Sequence, residues 1–291
     1  MISVFGSTGN VGGRVAAMLL ESGIAVRALV RSPRKAEPLA NRGAEILEGS
    51  MLNVMDVKNA MYRCDAAFLM TPVDYADYPG EEIEIGRNYA SALEDSTINH
   101  VVYMSSIGAY AKMGIPHIDS KATIEDTIFA SGVDCTFLRP AFFMDNLYCQ
   151  TDTIRSQGFI SLPMPPDAPI PMVSTEDIAY AAVQSLKRGA NGDREEYDIL
   201  GGRDYSMNEV AEIVSSSIGR QVSYVQMTDE DAREAFRQKG MSAAAVDALV
   251  SMYRLLPNIP VDADRFRVYN EFNFEPTTLE SMINTIAGAL A

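Results

Sequence analysis

Residues 2–5 (ISVF) form a short apolar run that breaks at once into Gly6-x-x-Gly9-x-x-Gly12, after which Val15, Leu19 and Leu20 recur at helical spacing. The same alternation repeats through the first half. Strand-like runs are expected at 25–30 (AVRALV), 44–47, 66–70 (AAFLM), 100–104 (HVVYM) and 133–138 (VDCTFL). Between them lie helix-like stretches. One starts at Ser32-Pro33 as N-cap and first-turn proline, one is capped by Asn53, one covers 81–93 with a charged outer face, and one covers 117–131. Apolar strands alternating with helices predict a parallel sheet covered on both faces.

The rhythm loosens after about residue 150. The proline-dense segment 162–171 (LPMPPDAPIP) reads as an extended loop. Ser174-x-x-Asp177 starts a helix running to about 185, a strand follows at 196–200, and Gly201-Gly202 turns the chain. Ser206-x-x-Glu209 is a capping box for a helix over 207–217, and 221–226 is a short strand. Thr228 and Ser242 precede two further helices, and Thr277-x-x-Glu280 reads as a capping box for the last one. The predicted architecture is α/β, a Rossmann-type doubly wound parallel sheet with a smaller, mostly helical C-terminal lobe. A dinucleotide-binding domain is assigned to 1–155 and a substrate lobe to 156–291, with parts of 172–200 returning to the sheet.

The 291 residues can bury one large core, and 47% hydrophobic with 22% charged residues is ordinary for a globular protein. No apolar run reaches the ~18 residues of a membrane span. With a strand expected from residue 2, no leader is expected. Cys64, Cys135 and Cys149 are scattered, which suits a reducing cytoplasm, and with only His100 and His117 no metal site is expected. The net charge of −15 argues against direct nucleic-acid binding and reads as a solvated surface.

The chemistry begins at the glycine turn. A strand, a tight turn and a helix N-terminus make a site for a dinucleotide pyrophosphate, with Gly6, Thr8, Gly9, Asn10, Val11 and Gly12 around it. The second strand ends in Val30-Arg31-Ser32-Pro33-Arg34-Lys35, with no acid for a ribose 2′-hydroxyl. Arg31 offers a planar fork and Lys35 a point charge to a 2′-phosphate, so NADP(H) is expected over NAD(H). Ser50, Leu69, Met70 and Thr71 would line the adenine and the nearer ribose, with core packing the plainer role for Met51 and Met70. The fifth strand brings Ser105 and Ser106 to the sheet edge.

In His117-x-x-x-Lys121 the two side chains share a helix face. Lys121 can hold the nicotinamide ribose, and His117 can titrate near neutrality as a proton donor. The alternatives are a surface ion pair between Lys121 and Glu125 and a solvent-facing His117. Pro140 and Phe142 would wall the nicotinamide. Phe142, Phe143 and Met144, with Tyr78 and Tyr110 from loops, would form the substrate cavity, against a plainer role as core or surface residues.

Together, GSTGNVGG, VRSPRK, FLMTP, VVYMSSIGA, HxxxK with Glu125 following, SGVDCTFLRPAFFMDNL, PMVSTEDIA, GRQVSY and EPTTLE resemble the NmrA-like family of atypical short-chain dehydrogenase/reductases. The resemblance covers nearly the whole chain. It implies an NADP-binding core, a small C-terminal lobe, and one of two roles. One is an NADPH-dependent oxidoreductase passing hydride to a flat, electron-poor acceptor such as a quinone or dye. The other is a noncatalytic NADP(H)-binding redox sensor acting through a protein partner. His117 stands where the reductase pattern has Tyr, and Ser50 where an adenine-contacting Asp is usual. Hydride transfer to a quinone tolerates the missing Tyr, because such an acceptor takes its proton later from solvent. The expected setting is cytoplasmic, with a small-molecule acceptor, no membrane, and room for a homodimer. A substrate-shaped cavity beside the cofactor separates enzyme from sensor.

Overall fold

The alternating pattern becomes a layered sheet. The computed structural model describes residues 1–76, 78, 80–259 and 272–290. Its first half runs β1 (Ile2–Phe5), α1 (Asn10–Glu21), β2 (Val26–Val30), α2 (Glu37–Ala40), β3 (Glu45–Glu48), α3 (Val54–Met61), β4 (Ala66–Met70), α4 (Gly80–Glu94), β5 (His100–Met104), α5 (Pro116–Phe129) and β6 (Asp134–Pro140). It continues with β7 (Phe142–Phe143), α6 (Thr151–Gln157), β8 (Phe159–Leu162), β9 (Ile170–Val173), α7 (Thr175–Arg188), β10 (Arg194–Ile199), β11 (Asp204–Tyr205), α8 (Met207–Ile218) and β12 (Ser223–Gln226). Helices α9 (Asp229–Gln238), α10 (Ala243–Leu255) and α11 (Leu279–Leu290) follow.

Seven strands pair in the order β3-β2-β1-β4-β5-β6-β10, every pair parallel. The order reverses between β1 and β4, the switch point at which open sheets of this kind bind ligands. On one face Val11, Val15 and Leu19 of α1 pack with Ile178 and Ala182 of α7. On the other, Val57 and Met61 of α3, Ile85 and Tyr89 of α4 and Ile128 of α5 close a second apolar layer. The Rossmann-type doubly wound sheet with helical C-terminal additions is therefore the observed fold. β10 is its seventh strand, in register with β6 from Cys135↔Arg194 to Pro140↔Ile199.

Several caps form as the sequence predicts. Asn53 accepts from Met55 N–H, and Ser206 with Glu209 makes the full capping box. Others differ. Pro33–Ala36 is a 3₁₀ turn, and the Ser32 side chain makes no cap bond. At the last helix it is Thr278 whose hydroxyl accepts from Ser281 N–H, while Thr277 is taken by Asp177. Asp177 accepts from Thr277 N–H (3.0 Å) and Oγ1 (2.7 Å), and Asp145 holds Thr175 in the same two-point way (3.0 and 2.6 Å). These carboxylates fasten the start of α11 to α7, and the start of α7 to the segment that follows β7. Among the described residues no helix is long and apolar enough to cross a membrane.

Candidate active site

At the switch point β1 ends in Gly6, whose φ of +70° turns the chain toward α1. A Cβ on Gly6 would lie 2.5 Å from Met70 Sδ, and one on Gly12 would lie 2.4 Å from Gly6 O. The glycines therefore let the helix start close over the strand end. Gly9 caps α1 without a side-chain bond, and the first turn carries no acid. The N–H groups of that turn face a loop in which Thr8, Gly9 and Asn10 are exposed. Val11 offers its backbone only, since its side chain is buried in the core. Ser7 Oγ is buried there without a partner among the described residues.

Beyond β2, Arg31, Arg34 and Lys35 are exposed and form no ion pair among the described residues. Ser50 shapes the turn after β3: its N–H donates to Asp56 (2.9 Å) and its Oγ accepts from Leu52 N–H (3.2 Å). Leu69 differs from the expectation, because its side chain lies wholly in the core and only its backbone reaches the sheet edge.

A cavity of about 330 Å³ opens at the C-terminal ends of β4, β5 and β6. Met70, Thr71, Ser105, Lys121, Pro140, Phe142, Phe143 and His117, all anticipated, line it. Ser105 Oγ is buried and has no hydrogen-bond partner among the described residues. Helix α10 roofs the cavity with Leu249, Met252 and Tyr253, and Leu256 continues the same stripe just beyond it. Tyr75, from the loop after β4, completes the wall.

Three expected cavity residues lie elsewhere. Met144 is fully buried in the core. Tyr110 sits outside, its ring 5.4 Å from the Arg139 guanidinium. Tyr78 is buried against Ala245 and Ala248 of α10 and backs His117 at 6.1 Å between ring centroids.

Helix α5 is tied on two sides, which fixes His117 and Lys121. Glu125 takes the Arg139 guanidinium of β6 in a two-point pair (2.9 and 2.6 Å), so it is not the partner of Lys121. Lys121 instead pairs with Glu82 of α4, and both are buried. Lys121 Nζ also donates to Thr71 Oγ1 (2.8 Å) and Thr71 O (3.2 Å), which accounts for all its N–H groups. Glu82 further accepts from Thr71 Oγ1 (3.0 Å) and Ser120 Oγ (3.1 Å).

Glu82 was missed because the start of α4 reads as a charged outer face. Yet it shares the inner stripe of Ile85, Gly86, Tyr89, Ala92 and Leu93, and a glutamate in that register is the signal. His117 also differs from expectation. Burial, with the Lys121 ammonium beside it, lowers its pKa to about 4, so it is neutral at pH 7 and holds no imidazolium proton to give.

The NmrA-like family model matches residues 1–283, so the chain belongs to that family. An NAD(P)H azoreductase from Xenophilus azovorans is 29% identical over 257 residues, covering 88% of this chain and 87% of that protein. The NADPH-dependent quinone oxidoreductase of Escherichia coli, solved with NADPH, has a TM-score of 0.84 at 20% identity, covering 98% of this chain and 99% of that one. NmrA, a negative transcriptional regulator solved with NADP, has a TM-score of 0.78 at 22% identity, covering 99% and 95%. The two structural likenesses establish the shared fold.

Proposed function

We propose that this chain is an NADPH-dependent reductase whose acceptor is a flat, neutral, electron-poor ring such as a quinone. The observation that carries this reading is the roofed cavity of about 330 Å³ at the strand ends, within the range of small-molecule sites. A sensor that acts through its surface, as the likeness to NmrA suggests, has no use for such a chamber. The names of two relatives, an azoreductase and a quinone oxidoreductase, support the reductase class.

The residues fit a bound NADP(H) at three places. The glycine turn leaves backbone room and free N–H groups for the pyrophosphate. Arg31, without an ion pair among the described residues, is free to meet a 2′-phosphate. The orphaned Ser105 Oγ on the cavity floor suits a nicotinamide amide or ribose hydroxyl. Bound NADPH supplies a hydride at that floor.

The chain's own work is placement and exclusion of water. Pro140 and Phe142 wall one side, and α10 covers the other. Lys121 keeps the exit of β4 in place and reaches a ribose by giving up its longest bond, to Thr71 O. Its charge is matched by Glu82, so the cavity wall carries no uncompensated charge among the described residues, which suits a neutral acceptor. With His117 neutral, the proton that completes the hydroquinone comes from solvent. NADPH, quinone and one proton enter; NADP⁺ and hydroquinone leave.

The test is steady-state NADPH consumption with a quinone, comparing the unaltered chain with Met252→Trp, which fills the cavity from its roof. Turnover in the unaltered chain and a loss of about 100-fold in kcat/KM in the variant, with NADPH Kd kept, is the expected result. Equal turnover in both places the chemistry elsewhere.

Preference for NADP(H) rests on Arg31. Arg31→Ala is expected to raise the NADPH Kd about 10- to 100-fold, the worth of a charge-assisted hydrogen bond to phosphate. The NADH Kd should hardly move. Equal losses for both cofactors contradict the assignment.

A further inference from the structure

The roof of the cavity is apolar except at one position. Leu249, Met252 and Leu256 present carbon and sulfur, and Tyr253 alone presents a phenol. Its ring is held edge-on to Phe142 at 6.2 Å and stacked on Phe236 at 6.3 Å between centroids. Three enclosed tyrosine hydroxyls are engaged, Tyr89 with Met70 O, Tyr103 with Thr71, and Tyr224 with Leu162 O and Met164 O, while that of Tyr78, outside the cavity, is buried without a partner among the described residues. The Tyr253 hydroxyl has no hydrogen-bond partner among the described residues. Enclosed tyrosines normally find one.

Tyr75 faces the same cavity, and its hydroxyl is likewise without a partner among the described residues. Its carbonyl accepts from Ser242 N–H at the start of α10 (2.9 Å), which joins the loop to the roof. Two phenols thus stand at the roof side of the chamber, opposite a floor that carries Thr71, Ser105, His117 and Lys121. Burial first, and then the neighbouring Tyr75, hold the Tyr253 phenol above its usual pKa, so it stays a donor at any working pH.

Resting on the reductase reading, we propose that Tyr253 orients the acceptor by donating a hydrogen bond from its phenol to an acceptor oxygen. The favoured acceptor is then a carbonyl-bearing ring, a quinone, over a cationic arylmethane dye whose hydride-accepting carbon carries no such oxygen. No proton leaves Tyr253 in this role.

Tyr253→Phe keeps the stacked ring and removes the hydroxyl alone. The expected result is a fall of about tenfold or more in kcat/KM for a neutral quinone, with NADPH Kd and turnover of an oxygen-free cationic dye unchanged. Calorimetry on the NADP⁺-loaded protein with an inert hydroxycoumarin gives a second readout that needs no turnover, and affinity should fall by the same factor. Tyr148→Phe, at an exposed site, is the control.

Quinone kinetics and coumarin affinity equal to those of the unaltered chain overturn the proposal. So does a loss of equal size for quinone and dye, which would make Tyr253 a packing residue, and so does an unaltered chain that neither binds the coumarin nor reduces a quinone. A chain that turns over no acceptor, yet loses coumarin affinity in Tyr253→Phe, overturns the reductase reading and leaves the phenol's assignment standing.

Discussion

Glu82→Leu is expected to destabilise the fold by about 3–5 kcal/mol, the usual consequence of removing one partner of a buried ion pair. Glu82 is only 2% exposed and Lys121 6%, so the ammonium left behind could not turn to water without moving the exit of β4. Ser120 and Thr71 would lose an acceptor as well. At about 2–4 °C per kcal/mol for a domain near this size, the melting temperature should fall by roughly 10 °C.

The double variant Glu82→Leu with Lys121→Met should recover most of that loss, because well-packed apolar residues often replace a buried pair without cost. It also isolates the second role of Lys121 from folding. One charge-assisted hydrogen bond to a ribose predicts an NADPH Kd about tenfold weaker in this stable double variant. An unchanged Kd would make the pair purely architectural. A double variant no more stable than Glu82→Leu would contradict the ion-pair account itself.

Gly12→Ala is expected to weaken NADPH binding by about 100-fold and to destabilise the fold by about 1–3 kcal/mol, as overpacking against rigid structure does. The added Cβ would sit 2.4 Å from Gly6 O, 2.6 Å from Gly6 C and 3.0 Å from Phe5 O, all backbone atoms that no rotamer change can move aside. The start of α1 must then lift from β1, and the N–H groups proposed for a pyrophosphate lift with it. Gly288→Ala is the control. Its Cβ meets nothing within 4 Å, so the change should be neutral or slightly stabilising. NADPH titration and thermal melts of the two variants check both numbers. Full-strength binding by Gly12→Ala would remove the glycine turn from the cofactor site.

The sheet was legible because its signals are local. Apolar runs bounded by Gly, Asn and Ser mark β1 through β6 to within a residue or two, and the glycine turn marks the ligand end of the sheet. What escaped depends on where elements meet. Glu82 sits among acidic neighbours, and only the helical register of Ile85 and Tyr89 shows that it faces inward. Thr277 and Thr278 are adjacent hydroxyls, and which one caps α11 is decided by Asp177, a hundred residues away. The stripe of Leu249, Met252, Tyr253 and Leu256 is visible as a helix face, but that it roofs the strand ends follows from long-range packing. In sequence Tyr78 and Tyr110 are equivalent loop tyrosines, and burial parts them: one supports His117, and the other lies over Arg139. His117 shows the same limit in its chemistry, since the spacing puts it beside Lys121 and only the enclosure makes it neutral.

The most direct test of the central claim is a single-turnover experiment on the unaltered chain loaded with NADPH and mixed rapidly with excess quinone. The account predicts loss of the reduced-nicotinamide absorbance at a rate that saturates with quinone concentration, one hydroquinone appearing for each NADPH consumed. Bound NADPH that persists unchanged with quinones, dyes, imines and carbonyls alike would contradict it and leave a cofactor-binding sensor.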